Sequence, residues 1–71
     1  MSEYLVVIEQ ADGNYSAYAP DLVGCVATGK TLAQVKERMR EAIVLHVQGL
    51  KEDGLPVPPA ASRSEYVAVG I

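Results

Sequence analysis

One helix-forming stretch, from Thr31 to about Glu52, constrains the fold of this chain most. Thr31 and Gln34 have the spacing of a capping box at a helix start, and Gly54 supplies a stop. Between them, apolar side chains recur on one stripe at 100° per residue. The stripe consists of Leu32, Val35, Met39, Ala42, Ile43, His46 and Leu50. The segment therefore predicts one helix that packs a single face against a sheet.

The apolar runs outside this helix are short and rich in β-branched residues, which predicts strands. We expect them at residues 4–8, 15–19, 25–28 and 65–71. Turn residues at 12–14 join the first two into a hairpin. The order β-β-β-α-β predicts a single α+β domain over residues 1–71, a two-layer sandwich of one sheet and one helix. A right-handed crossover places the last strand beside the first, in the order 3-2-1-4.

Length, composition and charge exclude several classes of function. A chain of 71 residues, 49% hydrophobic and 21% charged, folds but has a thin core. Its one cysteine, Cys25, indicates a reducing compartment. The chain has no basic leader and no apolar run near 20 residues, so we expect a cytoplasmic protein without membrane contact. A net charge of −3 argues against direct nucleic-acid binding and favours a basic protein partner.

Several apolar side chains predict self-association. The two edges of the sheet need a partner, and the last strand carries no interior charge to block one. On the helix, two apolar residues lie roughly 120–140° from the centre of the stripe and cannot both reach the sheet. We therefore expect a homo-oligomer, a dimer or tetramer. The predicted oligomer or partner surface consists of Val44, Leu45, Tyr66, Val67 and Val69. The alternative is that single exposed apolar residues have no function.

The sequence contains no recognisable catalytic or metal site. His46, the only histidine, lies within the apolar stripe, which favours a packing role. Cys25 lies in a strand without an identifiable base, so we interpret it as a small buried residue. The acidic residues are spread over separate elements and nothing makes them converge on a metal ion. We therefore expect no catalytic residue, no metal and no cofactor.

Several short motifs occur along the chain in an order that is known from a protein family. The set comprises Tyr15, the loop from Pro20 to Cys25, Gly29-Lys30-Thr31, Glu41-Ala42 and residues 52–58. It resembles the HicB family of antitoxins over nearly the whole chain. The resemblance implies a partial ribonuclease-H-like fold and a partner, a small basic HicA toxin that cleaves mRNA and that the antitoxin neutralises.

The chain departs from that family at three points. Val23 stands where a second proline is usual, and Arg38 stands where the helix often has asparagine. The chain ends at Ile71, before the DNA-binding domain of typical members, so we expect a short stand-alone antitoxin without DNA contact. The strand positions that carry carboxylates in ribonuclease-H-like enzymes are apolar or uncharged here, which predicts no nuclease activity. These positions are Tyr4, Val6, Ile8, Ala17 and Cys25.

Two functions follow as hypotheses. The first is a toxin-neutralising antitoxin that contacts the toxin through its proline-containing loop. The predicted contact residues are Pro20, Asp21, Leu22, Gly24 and Cys25. The second is an orphan homo-oligomeric module, structural or small-ligand-binding, without a toxin. For the loop, a purely structural role in turning the chain is the alternative.

Overall fold

Three antiparallel strands followed by one helix form the fold in a computed structural model, which describes residues 2–71. The elements are β1 (Val7–Ala11), β2 (Asn14–Tyr18), β3 (Val26–Gly29) and α1 (Leu32–Glu52). The strands form one sheet in the order β1-β2-β3, and α1 packs on one face of it. The predicted α+β class and the order of these four elements are confirmed.

The hairpin of β1 and β2 begins later along β1 than the apolar run predicted. Gly13, at φ 66°, closes a turn between Ala11 and its partner Asn14. Pairing then continues to Val7, opposite Tyr18. Beyond Tyr18 the chain turns away at Pro20, which has no N–H to donate to a ladder. Residues 4–6 therefore lack a partner on β2, and the predicted strand at 4–8 is corrected to Val7–Ala11.

Both ends of α1 are capped by local hydrogen bonds. Thr31 Oγ1 accepts the N–H of Gln34 at 3.0 Å, and Gln34 Oε1 accepts the N–H of Lys30 at 2.7 Å. At the other end Gly54 takes φ 68° and donates to the Lys51 carbonyl at 3.1 Å, while Leu55 donates to the Leu50 carbonyl at 2.9 Å. This pair of bonds is a Schellman motif. Within residues 2–71, α1 falls short of the apolar length that a bilayer span requires.

The core lies between α1 and the two strands that it covers. Its buried residues are Ala17, Ala19, Leu22, Cys25, Val35 and Met39. Helix and sheet are in close contact at Gly29, where an added Cβ would lie 2.8 Å from the backbone nitrogen of Val35. The backbone of α1 lies close to that of β2 and β3 but not to that of β1. The inner side chains Tyr4, Val6 and Ile8 pack against the edge of the core and are only partly covered.

The predicted fourth strand does not form within the chain. Residues 65–71 belong to no strand, and Tyr66 and Ile71 are fully exposed. The reason lies in the path of the chain after α1. Hydrogen bonds fix Ala61 and Ser62 against the loop between β2 and β3. The chain then continues as residues 63–71, which are all exposed and which we call the C-terminal arm. The predicted strand order 3-2-1-4 is therefore not found in a single chain.

The close approach at Gly29 gives a stability prediction. A methyl group at this position has to displace the backbone of α1, so we expect Gly29→Ala to destabilise the fold by about 1–3 kcal/mol. Thermal and urea unfolding followed by circular dichroism measure this change.

Gly49→Ala is the matched control. An added Cβ at Gly49 meets no atom within 4 Å, and Gly49 lies inside α1. Alanine there is expected to leave stability unchanged or raise it by up to about 1 kcal/mol, because it favours the helix. Equal effects of the two substitutions would contradict the proposed close contact.

Candidate binding surfaces

The loop between β2 and β3 is two consecutive turns closed by backbone hydrogen bonds. The first turn runs from Ala19 to Leu22, whose N–H donates to the Ala19 carbonyl at 3.0 Å. The second runs from Leu22 to Cys25, whose N–H donates to the Leu22 carbonyl at 3.1 Å. Pro20 occupies the second position of the first turn, a position that proline favours. Gly24 takes φ 81° at the third position of the second turn, as a type II turn requires.

The structure separates the five predicted loop contacts into different environments. Leu22 is 1% exposed, and Cys25 is also buried, so these two side chains anchor the loop in the core. Pro20 and Gly24 lie at the surface. The most prominent side chain is Val23, which is 91% exposed. Val23 was not among the predicted contact residues, although its place between two anchored turn residues could have indicated its exposure.

Asp21 binds the chain's own C-terminal segment. Its Oδ2 accepts the N–H groups of Ala61 at 3.0 Å and Ser62 at 2.9 Å, and its Oδ1 accepts the Ser62 hydroxyl at 2.7 Å. The backbone N–H of Ser62 contributes most to lowering the pKa of Asp21, followed by the Ser62 hydroxyl. The Ala61 N–H acts in the same direction, and partial burial opposes all three. The charged carboxylate is therefore the form that holds this segment.

A second hydrogen bond fixes the segment that leads there. The Tyr4 hydroxyl donates to the Pro58 carbonyl at 2.6 Å. Pro58 thus lies beside the chain that enters β1, whereas Ser62 lies at the loop that follows β2. Between these points the chain crosses the end of the sheet, away from the free edge of β1.

The face of the sheet opposite α1 carries an apolar row. Val7 pairs with Tyr18, and Tyr18 pairs with Val26, so the three side chains lie side by side across the strands. Tyr18 and Val26 are both exposed. The adjacent row on this face is polar and consists of Glu9, Ser16 and Thr28. We call Val7, Tyr18 and Val26, together with Val23 in the neighbouring loop, the open-face patch.

A groove of about 740 Å³ runs between the chain entering β1 and helix α1. On the strand side it is lined by Tyr4, Val6 and Ile8. On the helix side it is lined by Lys36, Met39, Arg40, Ile43 and Val44. Its long side is open because β1 has a neighbour on one edge only. We call this the β1 groove.

The predicted surface residues of the helix divide between two environments. Val44 and Leu45 are both at least half exposed. Val44 lines the β1 groove, whereas Leu45 does not. Tyr66, Val67 and Val69 are exposed on the C-terminal arm, and no hydrophobic residue of the arm packs against the core of its own chain.

The other candidates for catalysis or metal binding are Cys25, His46 and the acidic residues. Burial raises the pKa of the Cys25 thiol, which disfavours the reactive thiolate. His46 is half-buried on α1. Among residues 2–71, no three side chains of His, Cys, Asp or Glu are grouped so that they could hold a metal ion.

Comparisons with known proteins identify a family and several relatives of this chain. The model of a family described as HicB_like antitoxin of bacterial toxin-antitoxin system matches residues 4–69. An uncharacterized 14.9 kDa protein of Haemophilus phage HP1, from the rep-hol intergenic region, is 31% identical over 90% of this chain and 48% of its own length. A UPF0150 protein of Synechocystis is 38% identical over 78% of this chain and 71% of its own length. The chain thus spans about half of the phage protein.

A solved structure shares the fold. A chain of the HicA3 and HicB3 toxin-antitoxin complex is similar to this protein with a TM-score of 0.72 and 30% sequence identity. The match covers 83% of this chain and 70% of that chain.

The hydrogen bonds of Asp21 predict a pH response. Because its pKa is lowered from the ordinary 3.8, the contact stabilises the fold above that pH and is lost as the pH falls through the lowered value. In the native protein the amide proton shifts of Ala61 and Ser62 should move together with a midpoint below 3.8. Titration by NMR measures this response.

Asp21→Asn is expected to abolish that titration at every pH, because the acceptor charge is gone. It should also loosen residues 61–62, seen as faster amide exchange than in the native protein at neutral pH. Asp12→Asn in the β1–β2 turn is the control and should leave both amides unchanged. An unaltered titration in Asp21→Asn would show that another group holds this segment.

Proposed function

The chain belongs to the HicB-like antitoxins of bacterial toxin–antitoxin systems, and from this premise we propose that it binds and neutralises a small basic toxin of the HicA type. The toxin cleaves mRNA, and the antitoxin stops it by occupying its surface. The observation that carries the proposal is the fold shared with a chain of a toxin–antitoxin complex. The net charge of −3 supports a basic partner, since opposite charges speed and orient association.

The open-face patch is the surface that we assign to the toxin. Exposed apolar side chains clustered at one site mark interaction surfaces more often than scattered ones do. Tyr18 and Val26 lie side by side at the end of the sheet that carries the loop, and Val23 is exposed in that loop. In this arrangement Pro20 and Gly24 contribute surface, while Leu22 and Cys25 support the loop from the core. Asp21 acts through its hold on residues 61–62.

Val26→Glu tests this surface. A carboxylate in the centre of an apolar contact is left unpaired or must be desolvated, so we expect toxin affinity to fall roughly ten- to a hundredfold. Thr28→Glu is the matched control, because Thr28 lies on the same strand and the same face but in the polar row. Titration calorimetry with a small basic toxin of the HicA type measures both affinities.

The two variants should have equal thermal stability, because both positions are exposed. If Thr28→Glu weakened binding as much as Val26→Glu, the contact would not be apolar in character. If neither had an effect, the toxin would bind elsewhere on the antitoxin.

We further propose that the protein has no catalytic activity of its own. The family is one of antitoxins, and the partial ribonuclease-H-like fold implied by its motifs carries apolar side chains at Tyr4, Val6 and Ile8. Incubation of the pure protein with labelled RNA and Mg²⁺ or Mn²⁺ should leave the RNA intact. Cleavage that disappears in Glu9→Gln, Asp12→Asn or Asp21→Asn would overturn this proposal.

A self-assembling module without a toxin is the second candidate function. The observation that favours it is the C-terminal arm, whose apolar side chains have no cover within the chain. A neighbouring reading frame for a small basic protein that co-purifies with this one would support the antitoxin. Without such a frame the orphan module is favoured. Either function is proposed for the cytoplasm, where mRNA and a reduced Cys25 are found together.

A further inference from the structure

The C-terminal arm has the side-chain pattern of a strand that lacks its sheet. In an extended chain alternate residues point to opposite sides, so Val67, Val69 and Ile71 share one side. Ala68 and Gly70 share the other side with Tyr66. The larger aliphatic side chains therefore form a continuous apolar stripe. In the single chain this stripe is exposed along its length.

The β1 groove offers a matching surface. Tyr4, Val6 and Ile8 alternate along the strand side in the same way and lie on the same side of the sheet as α1. The free edge of β1 presents backbone N–H and C=O groups without partners on that side. A strand placed along this edge would bring three of its side chains beside these three, with about 4.8 Å between the strands.

We propose that the C-terminal arm of one copy of this chain lies in the β1 groove of a second copy and serves there as the fourth strand. Exchange in both directions gives a two-fold symmetric dimer. Val67, Val69 and Ile71 then pack against Val6, Ile43 and Val44 of the other copy, which line the groove, and the backbone of the arm completes the ladder of β1. This inference concerns self-assembly and is independent of toxin binding.

A second copy fits the groove better than the chain's own arm does. The Tyr4 hydroxyl binds the Pro58 carbonyl beside the chain that enters β1. Asp21 binds Ala61 and Ser62 at the loop after β2. The segment is thus led across the end of the sheet, away from the free edge of β1. These contacts direct the arm outward, as its full exposure shows. To reach its own groove the arm would have to turn back directly after the segment that Asp21 holds.

The strand side of the β1 groove and the apolar stripe of the C-terminal arm are of equal length. The strand side of the groove runs from Tyr4 to Ile8, and the stripe of the arm runs from Val67 to Ile71, so each presents three alternate side chains. The exchange also explains why residues 4–8 are apolar on both sides. The outer side chains Leu5 and Val7 would lie beside Tyr66 and Ala68 of the added strand.

Two substitutions, one on each side of the contact, test the exchange. Val69→Glu places a charge on the arm, and Val44→Glu places one on the groove. Each is expected to weaken dimerisation of the full chain roughly ten- to a hundredfold, measured by sedimentation equilibrium. Both residues are exposed in the single chain, so the fold should persist, which circular dichroism checks.

Each variant has a neighbouring control. Ser64→Glu charges the arm before the apolar stripe begins, and Leu45→Glu charges a helix position outside the groove. Both controls should dimerise as the native chain does. Effects equal to those of Val69→Glu and Val44→Glu would overturn the proposal.

Mixing the two defective variants separates exchange from other modes of dimerisation. The Val44→Glu chain has an intact arm and the Val69→Glu chain has an intact groove, so the mixture should form a heterodimer with one good contact. Dimerisation through paired arms would leave Val44→Glu unaffected, which contradicts the exchange. A native chain that is monomeric at high concentration, with its arm amides either open to exchange or protected, would also overturn it.

Discussion

The width of one helix is the constraint on which the rest of this structure depends. An α-helix with its side chains is about 10–12 Å across, and strands are spaced about 4.8 Å apart. One helix therefore covers two strands well and a third poorly. Here α1 lies on β2 and β3, in close contact with the sheet at Gly29, and leaves the inner side of β1 partly uncovered. The β1 groove and its unpaired edge follow from this placement.

The loop between β2 and β3 combines a structural role with the binding role that we propose for it. Pro20 and Gly24 shape its two turns, and Leu22 fixes it in the core. The same geometry raises Val23 into solvent and directs Asp21 toward Ser62. One loop therefore sets the position of the open-face patch and the course of the C-terminal arm. A change in this loop would therefore act on the two proposed contacts through different residues.

The two proposed surfaces lie on opposite sides of the sheet and share only Val7, at its edge. The open-face patch lies on the side of the sheet away from α1, whereas the β1 groove lies on the helix side. A toxin on the first surface and a second copy on the other could be bound at once. For a small protein with a thin core, both contacts would also stabilise the fold, because binding to the folded state alone raises stability by mass action.

Local sequence alone determined the parts of this protein that depend on neighbouring residues. The ends of α1 follow from Thr31, Gln34 and Gly54, and the hairpin follows from Gly13, because capping and turn geometry act over a few residues. Tertiary structure decided the rest. Whether residues 4–6 pair depends on where β2 ends, and whether Val44 lines a groove depends on which strands α1 covers. The Asp21–Ser62 contact joins residues 41 positions apart. No local pattern encodes such a contact. The contact directs residues 65–71, which have the sequence pattern of a strand, away from the sheet of their own chain.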